Sequence, residues 1–207
     1  MKLWMKMSAE AYENFIQEGT FYMDEKCFRG ANEQYAYNWI GKELVKKEKR
    51  PSRMAKYPIM TWYQMDGKKH LKEILLPEKD RNSIVLLVEI PDKEVLLFDE
   101  RLFHYIKNYF YIPLDESDFK RFELALEKLN LNEYKMRIRS ADYSAAACMR
   151  RMIEESWSRV FDLKKEDGYI YGLNSRKSIQ AAIWKVSLHQ VKTVYSFNKL
   201  HEMVQVS

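Results

Sequence analysis

Polar side chains set into apolar, strand-like segments are the residues of this chain best placed to do chemistry. A buried polar group is costly unless it has a partner or a task. Gln180 is the first of them. It lies in Ile179-Gln180-Ala181-Ala182-Ile183-Trp184, and the two-residue period of a strand puts it on one face with Ala182 and Trp184. The small Ala182 leaves room for a ligand that stacks on the Trp184 indole while the Gln180 amide hydrogen-bonds it. The competing reading is a glutamine facing solvent on an ordinary strand. Glu89 closes the apolar run Ile84–Val88 and shares a face with Val85 and Leu87. Desolvation there would raise its pKa and let it act as a base, whereas a strand-end acid more often reaches water. His104 stands between Phe103 and Tyr105 on a helical stretch, where a catalytic role competes with core packing or capping.

Other chemistries lack their residues. The four histidines (His70, His104, His189 and His201) show no H-x-x-x-H spacing, so no metal site is expected. Cys27 and Cys148 form no C-x-x-C pair and read as free thiols of a reducing compartment. None of the six glycines builds a G-x-G-x-x-G or P-loop cradle, and there is no G-x-S-x-G elbow. Asp115, Glu116 and Asp118 together suit the positive end of a helix dipole rather than a metal.

The elements that must position these groups can be read from periodicity and punctuation. Leu3 to Met7 is an opening strand, Ser8 an N-cap, and Ala9 to Glu18 a helix that Gly19 stops. Ala31 to Lys47 is a helix with Tyr35, Ala36, Trp39, Ile40 and Leu44 at helical spacing, and Pro51 forbids its continuation. Tyr57 to Gln64 is a strand ending at the turn Asp66-Gly67, and Ile84 to Ile90 is a central strand covered on both faces. Val95 to Phe98 is a short strand, after which Asp99 caps a helix through Leu102, Phe103, Ile106 and Tyr109. A further helix carries the stripe Ala145, Cys148, Met149, Met152, Ile153, Trp157 and Val160, with Cys148 expected in the core. Ile179 to Val186 and Val191 to Phe197 close the chain as strands. Strands in separate batches predict one α+β domain over residues 1–207.

Charge offers a different reading. The chain has 35 Lys and Arg against 30 Asp and Glu, a formal net charge of +5. The excess gathers between Lys42 and Lys72, in Lys46, Lys47, Lys49, Arg50, Arg53, Lys56, Lys68, Lys69 and Lys72. Such a stretch could serve a non-enzymatic module that binds nucleic acid or an acidic protein, or be a solvated helix end and loop. No apolar run approaches a membrane span and the opening residues do not read as a secretory leader, so a cytoplasmic protein is expected.

Leu3-Trp4 before a strand–helix step, Tyr57-Pro58-Ile59 running into Trp62-Tyr63, and Ile90-Pro91 leading to Val95-Leu96-Leu97 form an ordered set. Asp99 with His104, Ser156-Trp157 with Arg159 and Phe161-Asp162, and Ile179-Gln180-Ala181 with Trp184 complete it. Together they resemble a family of short bacterial and phage proteins known as a domain of unknown function (number 3841). The layout is also similar to ADP-ribosyltransferase-like domains, in which a split sheet holds NAD in a central cleft. That likeness implies a mixed, partly split sheet flanked by helices, with NAD as cofactor or ligand. It implies that Gln180 occupies the late-strand position where the family has a glutamate. Trp62 or Tyr63 would stack the nicotinamide, and Lys6 would stand near the first-strand basic position. A neutral amide can hold a ribose hydroxyl but cannot act as a base, so the likeness implies nucleotide binding more readily than transfer.

Overall fold

A computed structural model describes residues 1–28, 30–48, 52–75, 82–132, 144–197 and 203–206. Local signals set most of the elements. Strand β1 (Lys2–Ser8) runs into helix α1 (Ala9–Glu18), where Ser8 Oγ accepts from the Ala11 N–H at 3.1 Å. Gly19 ends that helix in the left-handed region (φ 73°) and donates to the Phe15 carbonyl at 2.9 Å. After β2 (Thr20–Phe21) comes α2 (Ala31–Lys47), which buries Ala36, Ile40 and Leu44 on one side. Strand β3 (Ile59–Gln64) leads into the Asp66-Gly67 turn, with φ of 48° and 74° as a type I′ turn requires.

Next come the short helix α3 (Lys72–Leu75), β4 (Ser83–Glu89), β5 (Leu96–Asp99) and α4 (Glu100–Lys107). Helix α5 (Glu116–Lys128) starts where the acidic trio predicts a helix start, with the Asp115 carboxylate accepting from the Asp118 N–H at 2.8 Å. Helix α6 (Ser144–Ser156) passes into a 3₁₀ turn, Trp157–Phe161. Strands β6 (Ile179–Ile183), β7 (Val186–Ser187), β8 (Val191–Phe197) and β9 (Met203–Val206) complete the order.

Seven strands make one sheet in the order β5-β6-β3-β1-β4-β8-β9, while β2 and β7 form a separate two-stranded ribbon. The α+β domain is as expected. Its described ladders are antiparallel throughout, where a mixed sheet was anticipated. Between β5 and β6 the physical reason is plain. The helical excursion returns the chain to the end of the sheet it left, so Asp99 lies opposite Ile179. β4 is central, as expected, between β1 and β8.

Both faces are covered. Leu3, Met5, Leu86, Val88, Ala181 and Ile183 pack with Phe15 of α1 on one side. On the other, Phe98, Ala182 and Trp184 lie under the helices, and Trp4 and Val85 lie under Leu71 and Leu75. The stripe on α6 is narrower than predicted. Ala146, Met149 and Ile153 are buried and continue into Trp157 and Val160, while Cys148 and Met152 are exposed. Residues 149, 153, 157 and 160 follow the three-to-four spacing of one helix face, and 148 and 152 sit on its flank. Cys148 is therefore a surface thiol, not a core one; the side chain of Ala145 lies outside the described set. Among the described residues no helix is long and apolar enough to cross a membrane.

Candidate functional site

The return of the chain beside β5 builds a polar knot from three segments. Asp99 caps α4, its Oδ1 accepting from the backbone N–H groups of Arg101 (3.0 Å) and Leu102 (3.3 Å). Lys177, just before β6, places its ammonium 3.6 Å from Asp99 Oδ2. The same ammonium donates to the carbonyls of Leu163 (3.1 Å) and Lys165 (2.8 Å). These two side chains are 2% and 1% exposed, so the pair is removed from water. Asp99 Oδ2 is sealed from solvent, with the Lys177 ammonium just beyond hydrogen-bond length as its partner. Burial pushes the Asp99 carboxyl up, against the opposing pull of the Leu102 N–H and the Lys177 charge.

The third segment is the turn after β3. Gln64 Nε2 and the Gly67 N–H both donate to the Lys177 carbonyl, at 2.9 and 3.1 Å, and the Asp66 N–H donates to Ser178 Oγ at 3.0 Å. Gly67 is required here, because a Cβ at that position would stand 2.0 Å from the Ser175 carbonyl oxygen.

A cleft of about 510 Å³ opens over the knot, with Asp66, Asp99, Arg101, Asp167, Arg176 and Lys177 among its walls. Its far wall is held by Asp167. One carboxylate oxygen, Oδ1, accepts from the N–H groups of Tyr169 (2.9 Å), Ile170 (2.6 Å) and Tyr171 (2.7 Å). Burial acts to raise the Asp167 carboxyl, but those backbone donors outweigh it and hold it below the usual carboxylate range. A depressed folded pKa adds stability above the unfolded pKa and loses it as pH falls through the folded one. Asp167→Asn should therefore cost about 2 kcal/mol near neutrality. That gap should close on acidification below about pH 4, as urea titrations at several pH values would show. A gap independent of pH would mean that shape, not charge, holds the loop.

The residues singled out from the sequence are placed as follows. Gln180 is half-buried in β6, opposite Trp62 on one side and Phe98 on the other. Trp62 packs toward the Trp4 cluster, whereas Tyr63 packs on the opposite face of the sheet and accepts from Lys69 Nζ at 3.0 Å. Gln180 and Trp62 are thus together, and Tyr63 is apart from them. Lys6 is exposed on β1 opposite Val85, on the face that carries Trp4. The hollow that Trp184 lines is only about 20 Å³, too small for a nucleotide. Trp184 is 4% exposed, donates to the Glu48 carbonyl at 3.2 Å, and closes on Gly41 of α2. Glu89 is exposed at the strand end, and the Lys192 ammonium 3.1 Å away holds its carboxyl below the usual range, the reverse of a raised base. His104 is exposed, with Nε2 2.7 Å from Glu100 Oε1 one turn earlier on α4.

The basic stretch is divided in space. Gly41 of α2 lies against Pro58, next to the first residue of β3, whereas Lys68 and Lys69 follow its last. The strand between spans roughly 20 Å. Lys46 is paired with Glu43 at 2.7 Å and Lys47 donates to the Val95 carbonyl. Lys49 and Arg50 lie outside the described residues. Among the described residues no group of three or more His, Cys, Asp or Glu is placed to hold a metal ion.

Sequence reasoning read Asp99 only as a helix cap and passed over Lys177 and Asp167. The turn dipeptide Asp167-Gly168 and the cations Arg176-Lys177 directly before an apolar strand were the available signals. The family model described as Domain of unknown function (DUF3841) matches residues 2–192. No curated protein and no solved structure matches the chain.

Proposed function

Since the chain belongs to the DUF3841 family, whose description assigns no reaction, its chemistry must be read from the cleft, and we propose that this cleft binds a nucleotide of the NAD kind. The observation that carries the reading is that two arginines and several carboxylates share the walls of one cleft. Arg101 and Arg176 line the same cleft and can each present a guanidinium fork to phosphate. The first free N–H groups of α4 are already taken by Asp99 Oδ1, so anion binding falls to these side chains.

Asp66, Glu100 and Asp167 on the same walls disfavour a bare polyanion and favour a ligand that mixes hydroxyls with few charges. The likeness to ADP-ribosyltransferases makes NAD the first ligand to try, and Gln180 stands two residues into the sheet from Ser178 of the cleft wall.

Isothermal titration of the folded protein with NAD, ADP-ribose and free amino acids tests the reading. NAD or ADP-ribose should bind. Arg176→Ala should weaken binding about tenfold, the worth of one charge-assisted hydrogen bond. Binding of amino acids alone, or affinity unaltered by that variant, would refute it.

A further inference from the structure

Behind the cleft's far wall is a second hollow of about 460 Å³, with aromatic walls from Tyr105, Phe110, Phe119 and Tyr169 and with His104 at its polar side. We propose that this hollow is the subsite for the planar base of the same ligand, so that the nucleotide spans both concavities; the inference rests on the cleft reading above.

Adjacency supports it first. Gly168 and Tyr171 line the cleft while Tyr169 and Ile170, between them, line the hollow. Along α4, Glu100 and Arg101 line the cleft, and His104 and Tyr105 line the hollow one turn later, about 6 Å along the helix axis. The Glu100–His104 contact of 2.7 Å sits on the border between the two.

The state of Tyr169 supports it second. The residue is 49% exposed, yet its backbone is fixed at both ends. Asp167 Oδ1 takes its N–H at 2.9 Å, and Arg101 Nη2 donates to its carbonyl at 3.4 Å. An aromatic ring on an anchored backbone, left half open beside other rings, is the geometry of a stacking platform. The same Arg101 that lines the cleft thus also holds the platform's backbone. Loading of the cleft and ordering of the hollow are coupled through one side chain.

Ribose 5-phosphate and ADP-ribose separate the two sites. Both carry the ribose phosphate that the cleft would take, and only the second carries a base. ADP-ribose should bind at least tenfold more tightly, the lower range of base–aromatic stacking. Tyr169→Ala should erase that advantage and leave ribose 5-phosphate unchanged, while Tyr169→Phe should keep it. If ribose 5-phosphate binds and ADP-ribose gains nothing, the base subsite is refuted and the cleft reading stands. Equal losses for both ligands in Tyr169→Ala refute it as well, because the ring would then be supporting the cleft. Binding of neither ligand overturns both.

Discussion

Lys177→Met should destabilise the protein by about 3–5 kcal/mol, the usual cost of removing one partner from a buried ion pair. Methionine keeps the length of the stem, so the loss isolates the ammonium. Three groups are stranded by it: the carbonyls of Leu163 and Lys165, and an Asp99 carboxylate that is 1% exposed. Burial already pushes the Asp99 carboxyl up, and removing the adjacent cation pushes it further. A raised folded pKa gives stability that is present below the unfolded value and lost as pH rises through the folded one. The variant's deficit should therefore shrink as pH falls toward about 4, the ordinary range for aspartate. Adding Asp99→Asn to Lys177→Met should recover part of the loss at neutral pH, since an amide still caps α4 and carries no charge. Urea unfolding midpoints across pH would read this directly. A deficit that does not respond to pH, with no recovery in the double variant, would show that the lysine acts through packing alone.

Trp157→Ala should cost a similar 3–5 kcal/mol, by a different route. The indole is 0% exposed and stands edge-on to Tyr109 (5.2 Å between ring centres), Trp39 (5.7 Å) and Tyr35 (5.9 Å). Its N–H donates to the Phe110 carbonyl at 2.8 Å. Truncation leaves a cavity where α2, the end of α4 and α6 meet, and orphans that carbonyl. No titratable group governs this loss, so unlike the Lys177 deficit it should hold across pH 4 to 8. A melting loss that varied with pH as strongly as that of Lys177→Met would contradict the assignment.

The difference between these two residues shows what the sequence could and could not disclose. Trp157 was legible, because it sits on an apolar stripe and periodicity alone puts it inside. The helices Ala9–Glu18 and Ala31–Lys47 were legible for related reasons: a serine cap, a stopping glycine, an apolar stripe at helical spacing. The Asp66-Gly67 turn and the cap at Asp99 are local features too, and the structure contains both. Lys177 was not legible. A lysine ahead of a strand looks like any solvated cation, and only the path of the chain from β5 through the helices back to β6 gives it a buried partner.

The same limit applied to Trp184. Alternation placed it correctly on the face of Ala182, but α2 lying across that face closed the space a ligand would have needed. Cys148 failed for a finer reason: a stripe written with too many members includes the flank of the helix as well as its buried line. The apolar strand makes a base one reading of Glu89 and a solvated strand-end acid the other; the structure has the exposed acid, and the lysine beside it belongs to another strand, β8.

The meeting of Asp99 and Lys177 also orders events in time. During synthesis the aspartate emerges long before the lysine, and it stays hydrated until the later segment docks. Joining positions so far apart in the chain costs the freedom of everything between them. The cleft therefore cannot be complete before the segment that carries Lys177 has been made. A nascent chain halted ahead of Lys177 would hold helices and a half-built sheet, but no pocket for a guest.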